Sequence, residues 1–317
     1  MPHKEMSEHI AIHLPVHKRP GVTKIAYTAL ERTRAEFHEL GFTTSVHVGG
    51  TTDNDQKLAL EFGYDFVKLP NEPIGRKFNL LLHRIVDTQP FDWLMEYGSD
   101  NVLAVGYAEK AKAMMDEGCR AFGLTDFYIA NFRDTSIRLF DKGFSNIGRF
   151  TRRPAILKMK RTRGEWYNWR LNRKIDQSFF LNHRRVAGPH KAMPCETPQL
   201  LDIKDMVNIN PLSDYLNRKV VPLAGEFPEF INAHPTWQPQ AKSGPTQSES
   251  TSAPPKAHSQ PESPAEPLET QPTKTTRGNS SPAPRPARSR GRSKSSTRRR
   301  KTMTDKGKSS PADSSGA

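Results

Sequence analysis

Four short stretches of the chain bring together residue types that suit phosphate and metal chemistry. The first is the turn Pro15-Val16-His17-Lys18-Arg19-Pro20-Gly21, rich in cations. The second is Val48-Gly49-Gly50-Thr51-Thr52-Asp53. Its small residues let backbone approach a ligand, and a following helix would favour an anion at its N-terminus. A plain strand-to-helix turn capped by Asp53 fits the same letters. The third runs from Asn71 to Asn79, with Gly75 in the loop and Arg76, Lys77 and Asn79 at a helix start. Those side chains could clamp a diphosphate, and a solvated helix start is the competing reading. The fourth is Glu96-Tyr97-Gly98-Ser99-Asp100-Asn101. An acid there could hold Mn²⁺ or Mg²⁺ against a leaving diphosphate, although Ser-Asp-Asn is also common in turns.

These stretches recur at the same place in a repeated pattern. Residues 10–16, 42–48, 64–69 and 91–97 read as strands, and helical periodicity follows each of them: from Val22 to Leu40, from Asp53 to Phe62, from Arg76 to Val86 and from Ala108 to Glu117. Gly41, Gly63 and Gly118 stand just beyond three of those helices, as glycine commonly does. Alternation of this kind predicts an α/β fold with a mostly parallel sheet and helices on both faces. Ligands of such sheets bind at the carboxyl ends of the strands, where all four stretches fall. Residues 122–130 suggest a further strand, and 141–215 are less regular, aromatic and basic.

Composition divides the chain near Trp237. Beyond it the sequence is Pro, Ser, Thr, Lys and Arg with few large apolar residues, so residues 238–317 are predicted to form a disordered basic tail. That tail holds 15 Lys and Arg against 6 Asp and Glu, which is +9 of the chain's net +14. Its densest part lies between Arg285 and Lys308 and would attract nucleic acid through phosphate charge. A solvated tail that aids solubility fits the same composition. Cys119 and Cys195 have no metal-type spacing, the N-terminus has no apolar signal region, and no stretch approaches the roughly 20 apolar residues of a membrane span. The expected compartment is a reducing cytoplasm.

In their order the four motifs resemble the nucleotide-binding half of GT-A glycosyltransferases, especially the family 2 type. The likeness is carried by "HLPVHKRP", "VHVGGTTDNDQKLALEFG", "LPNEPIGRKFN" and "FDWLMEYGSDN". Later segments, "IGRF", "WYNWRLNRKIDQS" and "LLDIKDMVNI", resemble GT-A-like proteins of phages and bacteria, and the likeness extends over about residues 1–215. The chain departs from the pattern in having Gly49 where an acid is usual, and in keeping one carboxylate, Asp100, in the metal motif. The resemblance implies a Rossmann-like GT-A domain over 1–237, with a nucleotide-binding half (1–118) and an acceptor half (119–237). It implies a nucleotide-sugar donor held by Pro15, Val16, Gly49, Gly50, Asp53, Asn71, Gly75, Arg76, Lys77, Asn79 and Ser99, with the divalent cation on Asp100. A carboxylate base must then deprotonate the acceptor hydroxyl. Asp176 in "RKIDQSF" is the first candidate and Glu165 the second, each also open to a structural reading as a helix cap or ion pair. Trp166 and Trp169 could stack on a sugar or pack in the core, Asp202 could be structural or a distal ligand, and His183 and His190 could ligate metal or lie on the surface. The basic residues Arg152, Arg153, Lys158, Lys160, Arg161 and Arg163 favour a polyanionic acceptor, in the first place a hydroxylated nucleic-acid base. Two alternatives stay open: a binding protein that has lost the chemistry, and a sugar nucleotidylyltransferase.

Overall fold

The computed structural model describes residues 7–132, 136–141, 145, 147–205, 217–223 and 226–234. The basic tail expected from residue 238 onward lies outside the described residues.

The first part alternates as the sequence pattern predicts: β1 (His9–Pro15), α1 (Pro20–Glu39), β2 (Thr43–Gly50), α2 (Asp53–Glu61), β3 (Asp65–Lys68), α3 (Ile74–Thr88) and β4 (Trp93–Glu96). β5 (Asn101–Leu103) and α4 (Tyr107–Asp116) come next. Then follow β6 (Ala121–Gly123), β7 (Phe127–Asn131), β8 (Ile137–Phe140), β9 (Arg149–Arg152), α5 (Arg153–Arg163), α6 (Ile175–Ala187), β10 (Lys191–Ala192), β11 (Leu200–Lys204) and α7 (Pro228–Ala233).

A seven-stranded sheet has the order β10-β6-β9-β4-β1-β2-β3. β3, β2, β1 and β4 run parallel, and β9 enters antiparallel between β4 and β6. Strands from both expected halves of the domain therefore share this sheet. β1 is buried on both faces, which explains why its apolar run is nearly continuous. Its Ile10, Ile12 and Leu14 pack with Tyr27, Leu30 and Phe37 of α1 and with Met114 and Met115 of α4. Ala11, facing the other way, joins Leu81, Leu82 and Ile85 of α3, Ile156 and Met159 of α5, and Phe179 of α6.

The sequence pattern does not announce a second sheet, and there is one: four strands in the order β5-β11-β7-β8. The single strand expected over 122–130 is two, β6 in the first sheet and β7 in the second, because the chain changes sheets between Gly123 and Phe127. A third apolar cluster lies under the second sheet and includes Val22, Ile25, Leu201, Ile203, Phe227 and Phe230. The turn after β4, residues 97–100, is where the chain first leaves one sheet for the other.

Two boundaries shift for local reasons. Thr52, not Asp53, caps α2: its hydroxyl accepts from the Asp55 N–H at 3.2 Å while the Asp55 carboxylate accepts from the Thr52 N–H at 2.9 Å, a reciprocal capping box. α3 begins at Ile74, two residues before the expected start at Arg76, after a cis peptide at Glu72–Pro73. Among the described residues, no helix is long and apolar enough to cross a membrane.

Candidate functional site

The parallel register brings the carboxyl ends of β1, β2, β3 and β4 to one edge. Pro15 pairs with Gly49, and the Val16 N–H donates to the Gly49 carbonyl at 2.9 Å. Gly49 and Gly50 are there because nothing larger fits. A Cβ on Gly50 would lie 2.3 Å from the Phe66 ring, and one on Gly49 would press on Leu69 and Leu81 at 3.1 Å. Asp55, which the motif reading passed over, ties two loops together. Its carboxylate accepts N–H groups from Lys18 at 3.0 Å and from Thr51 and Thr52 at 2.9 Å each. The signal was present in the Thr-x-x-Asp spacing of a capping box. Asp53 itself projects into solvent and pairs with Lys68 at 2.7 Å, away from those loops.

Lys77 is the hub of this edge. Its buried ammonium donates to the Val16 carbonyl, to the Thr51 hydroxyl at 3.0 Å and to the Asn71 amide oxygen at 3.3 Å. One side chain thus joins the loops after β1, β2 and β3. Burial lowers its pKa to about 8, with Asp55 pulling the other way.

The rest of the third motif serves a different purpose from the expected one. The free N–H groups at the start of α3 are taken by the protein: Ile74 donates to the Asn172 side chain at 2.9 Å and Gly75 to the Leu171 carbonyl at 2.8 Å. That helix start is therefore closed to a ligand anion. A Cβ on Gly75 would lie 2.0 Å from the Asn168 carbonyl oxygen, so this glycine permits a close crossing of two backbones. Asn79 is fully buried and its amide is saturated. It donates to the carbonyls of Gly75 at 3.0 Å and Tyr167 at 2.7 Å, and accepts from the N–H groups of Trp166 and Tyr167 at 3.1 Å each. Asn79 is a clamp between α3 and the segment before α6, not a ligand contact. Arg76 is exposed. Trp166 is core, with its indole N–H on the Ile156 carbonyl at 2.9 Å.

Asp100 stands in the turn after β4, where the sequence puts it, but it has a partner. Arg19 donates to its carboxylate at 3.0 Å and to the Ser99 hydroxyl at 3.3 Å. Arg19 and Lys18 are consecutive non-glycine residues in the left-handed region, with φ of 59° and 58°. Such backbone costs about 1–3 kcal/mol per residue and is held only where its surroundings over-determine it. Asp202 lies opposite Asn101 in the β5–β11 pairing and bonds Lys204 at 2.5 Å. Burial works to raise the Asp100 carboxyl, but Arg19 and Lys204 outweigh it and hold the group below its ordinary range. Asp202 is pushed up to about 6 by burial and by Asp100, against Lys204. Among the described residues, no group of three His, Cys, Asp or Glu side chains is gathered to hold a metal ion. Each candidate carboxylate already has a cation partner, although the buried Asp202 Oδ1 has none among the described residues; the guanidinium and the ammonium beside them oppose a divalent ion at Asp100.

Asp176 lies in the first turn of α6. Solvent reaches it, yet protein surrounds it closely enough that burial raises its carboxyl above the ordinary range, against Arg149 and Lys204. Its charge is also felt by Glu96, at the end of β4. Glu96 is buried, ion-paired with Arg149 and bonded by the Tyr167 hydroxyl. The Arg149 guanidinium stacks at 3.9 Å from the Phe179 ring and 4.6 Å from the Phe180 ring. The fold therefore brings Asp176, at the start of α6, within electrostatic reach of Glu96 at the carboxyl end of β4. Glu165 is not brought there; its carboxylate accepts the Trp169 N–H at 3.4 Å. His183 and His190 pack beside Phe179, and burial drives their pKa values down to about 4 and about 2, so both are neutral. Arg152 stands at the opposite end of β4, paired with Trp93 in the register, and with Arg120 and Lys158 it lines a separate concavity of about 510 Å³.

No protein-family model matches the chain, and no curated protein matches it. Among solved structures, S. aureus TarS 1–349 in complex with UDP-GlcNAc aligns with a TM-score of 0.44 and 11% identity, over 63% of this chain and 60% of that one. S. aureus TarS 1–349 without a named ligand aligns with a TM-score of 0.44 and 12% identity, over 73% and 72%. Mannosyltransferase PcManGT from Pyrobaculum calidifontis, in complex with GDP-Man and Mn²⁺, gives a TM-score of 0.41 and 9% identity, over 63% and 57%. The chain spans 36% of the length of another S. aureus TarS structure. At this level of likeness, what those proteins bind is a property of those proteins, and the reaction of this chain has to be read from its own side chains.

Proposed function

We propose that the chain is a GT-A-type glycosyltransferase that moves a sugar from a nucleotide-diphospho-sugar to a hydroxyl acceptor. The observation that carries this reading is that Asp176 stands within electrostatic reach of Glu96, at the end of β4, while Arg19 and Lys77 tie together the loops after β1, β2, β3 and β4. Asp176 takes the proton from the acceptor hydroxyl as that oxygen bonds to the anomeric carbon. The bond from the anomeric carbon to the diphosphate oxygen breaks, and the diphosphate leaves with one more negative charge. Arg19 stabilises that developing charge from a fixed position, and the buried Lys77 adds its charge from behind the loops it joins. Glu96, Arg149 and Tyr167 hold the floor of the site and touch neither reactant. On the charge distribution of the sequence, the tail between Arg285 and Lys308 recruits a polyanion, and a nucleic acid bearing a hydroxyl is the acceptor class it favours.

The test is calorimetric titration of the full chain with UDP, GDP, ADP, CDP and their sugar derivatives, followed by donor hydrolysis assays. One nucleoside diphosphate should bind well above the others and its sugar derivative should be turned over slowly in the absence of acceptor. Binding of none of them would remove the reading.

A further inference from the structure

We propose that Arg19 and Lys204 stand where a divalent cation would act beside the leaving diphosphate, so that this chain binds and uses its donor without a metal. The inference rests on the nucleotide-sugar reading above and deepens it.

The geometry has four parts. Asp100, the single carboxylate of its turn, is held by the Arg19 guanidinium at 3.0 Å. Asp202, brought alongside by the β5–β11 register, is held by the Lys204 ammonium at 2.5 Å. The Arg19 and Lys204 side chains are 12% and 7% exposed, so water screens these pairs little. Each of these two carboxylates thus has a cation beside it. A hard divalent ion asks for about six oxygen ligands. Here it would have to pull the carboxylates from their partners and leave a guanidinium and an ammonium against a doubly charged ion. Like charges at that range oppose such a site.

Arg19 also has the features of a group placed for a ligand. Two consecutive left-handed residues aim it, and they are held by the Lys18 N–H on Asp55 and by the Thr23 N–H on the Arg19 carbonyl at 3.0 Å each. Its Nε–H has no acceptor among the described residues. A planar guanidinium suits a phosphate oxygen, which would meet this buried Nε–H on a shift of the Arg19 side chain.

The experiment uses the full chain, freed of metal with EDTA, and titrates it with the nucleoside diphosphate selected from the panel above, with and without Mn²⁺. Electron paramagnetic resonance of Mn²⁺ gives an independent readout of ion capture. Wild type should bind equally in EDTA and in Mn²⁺, and adding protein should lower the free-Mn²⁺ signal no further than the nucleotide alone lowers it. Arg19→Ala should weaken binding by about tenfold or more, with Arg19→Lys recovering part of it. Wild-type affinity that rises tenfold or more with Mn²⁺, or Arg19→Ala binding as tightly as wild type in EDTA, overturns the proposal and leaves the donor reading standing. Binding in neither condition overturns both. A thermal melt of Arg19→Ala that matches wild type secures the comparison; if the variant unfolds, the wild-type metal titration and the resonance signal decide alone.

Discussion

Lys77 is an ammonium group held almost out of reach of water, with oxygen acceptors from three different loops around it. Burial brings its pKa down to about 8, so it is charged at neutral pH and loses its proton above that value. Affinity for a nucleoside diphosphate should therefore fall as pH rises through about 8, and Lys77→Met should bind weakly with no such dependence. Titrations between neutral and alkaline pH would show it; an affinity flat across that range would contradict the assignment. Asp176 limits the other side. A general base works only without its proton, and its raised pKa moves the acid limb of the rate profile upward from the ordinary carboxylate range toward neutrality. Asp176→Asn should lower kcat by about 10²- to 10⁴-fold while leaving donor affinity unchanged. Steady-state kinetics with the selected donor would test this, and near wild-type turnover in Asp176→Asn would remove the base from Asp176.

At the scale of elements, the join between α3 and the segment before α6 depends on one amide. Replacing Asn79 with Leu leaves the buried N–H groups of Trp166 and Tyr167 without an acceptor, at about 1–3 kcal/mol for each unmet group. Gly75→Ala should also destabilise, by about 1–3 kcal/mol, because its Cβ would meet the Asn168 carbonyl oxygen. Denaturant unfolding measures both; unchanged midpoints would show that the crossing relaxes freely. These two positions also illustrate how far sequence pattern reaches. β1 and β4 were readable as apolar runs and β2 by its alternating Thr and Val, and their carboxyl-end loops followed from topology. Gly75 and Asn79 were readable as special, but not as packing devices, since their partners lie some 90 positions further along. The Glu96–Arg149 pair arises from an antiparallel register that no local periodicity encodes. The second sheet was hidden because its strands are scattered between Asn101 and Lys204 and meet through a pairing that local periodicity does not encode.

At the scale of the molecule, charge and fold are separable in the sequence. Residues 238–317 carry most of the net positive charge and few large apolar groups. A fragment ending at Trp237 should melt cooperatively near the full chain's temperature. The full chain should bind DNA or RNA more tightly than that fragment, with a difference that shrinks steeply as salt rises. Fluorescence anisotropy of both proteins across a salt series would measure it. Equal affinities at every salt concentration would assign the tail another task.

The capture of the α3 start by Leu171 and Asn172 has a consequence for reach. On the reading proposed above, the base at Asp176 is pinned to the very helix that carries Lys77, a few residues along the chain from the pin. The gap between donor and base is thus set like the jaws of a locked caliper, by a short span of backbone and not by the breadth of the sheet. One residue inserted between Ile175 and Asp176, inside the first turn of α6, would turn the carboxylate by about 100° around the helix. On that reading, the thickness of an acceptor is gauged by the span from Asn172 to Asp176.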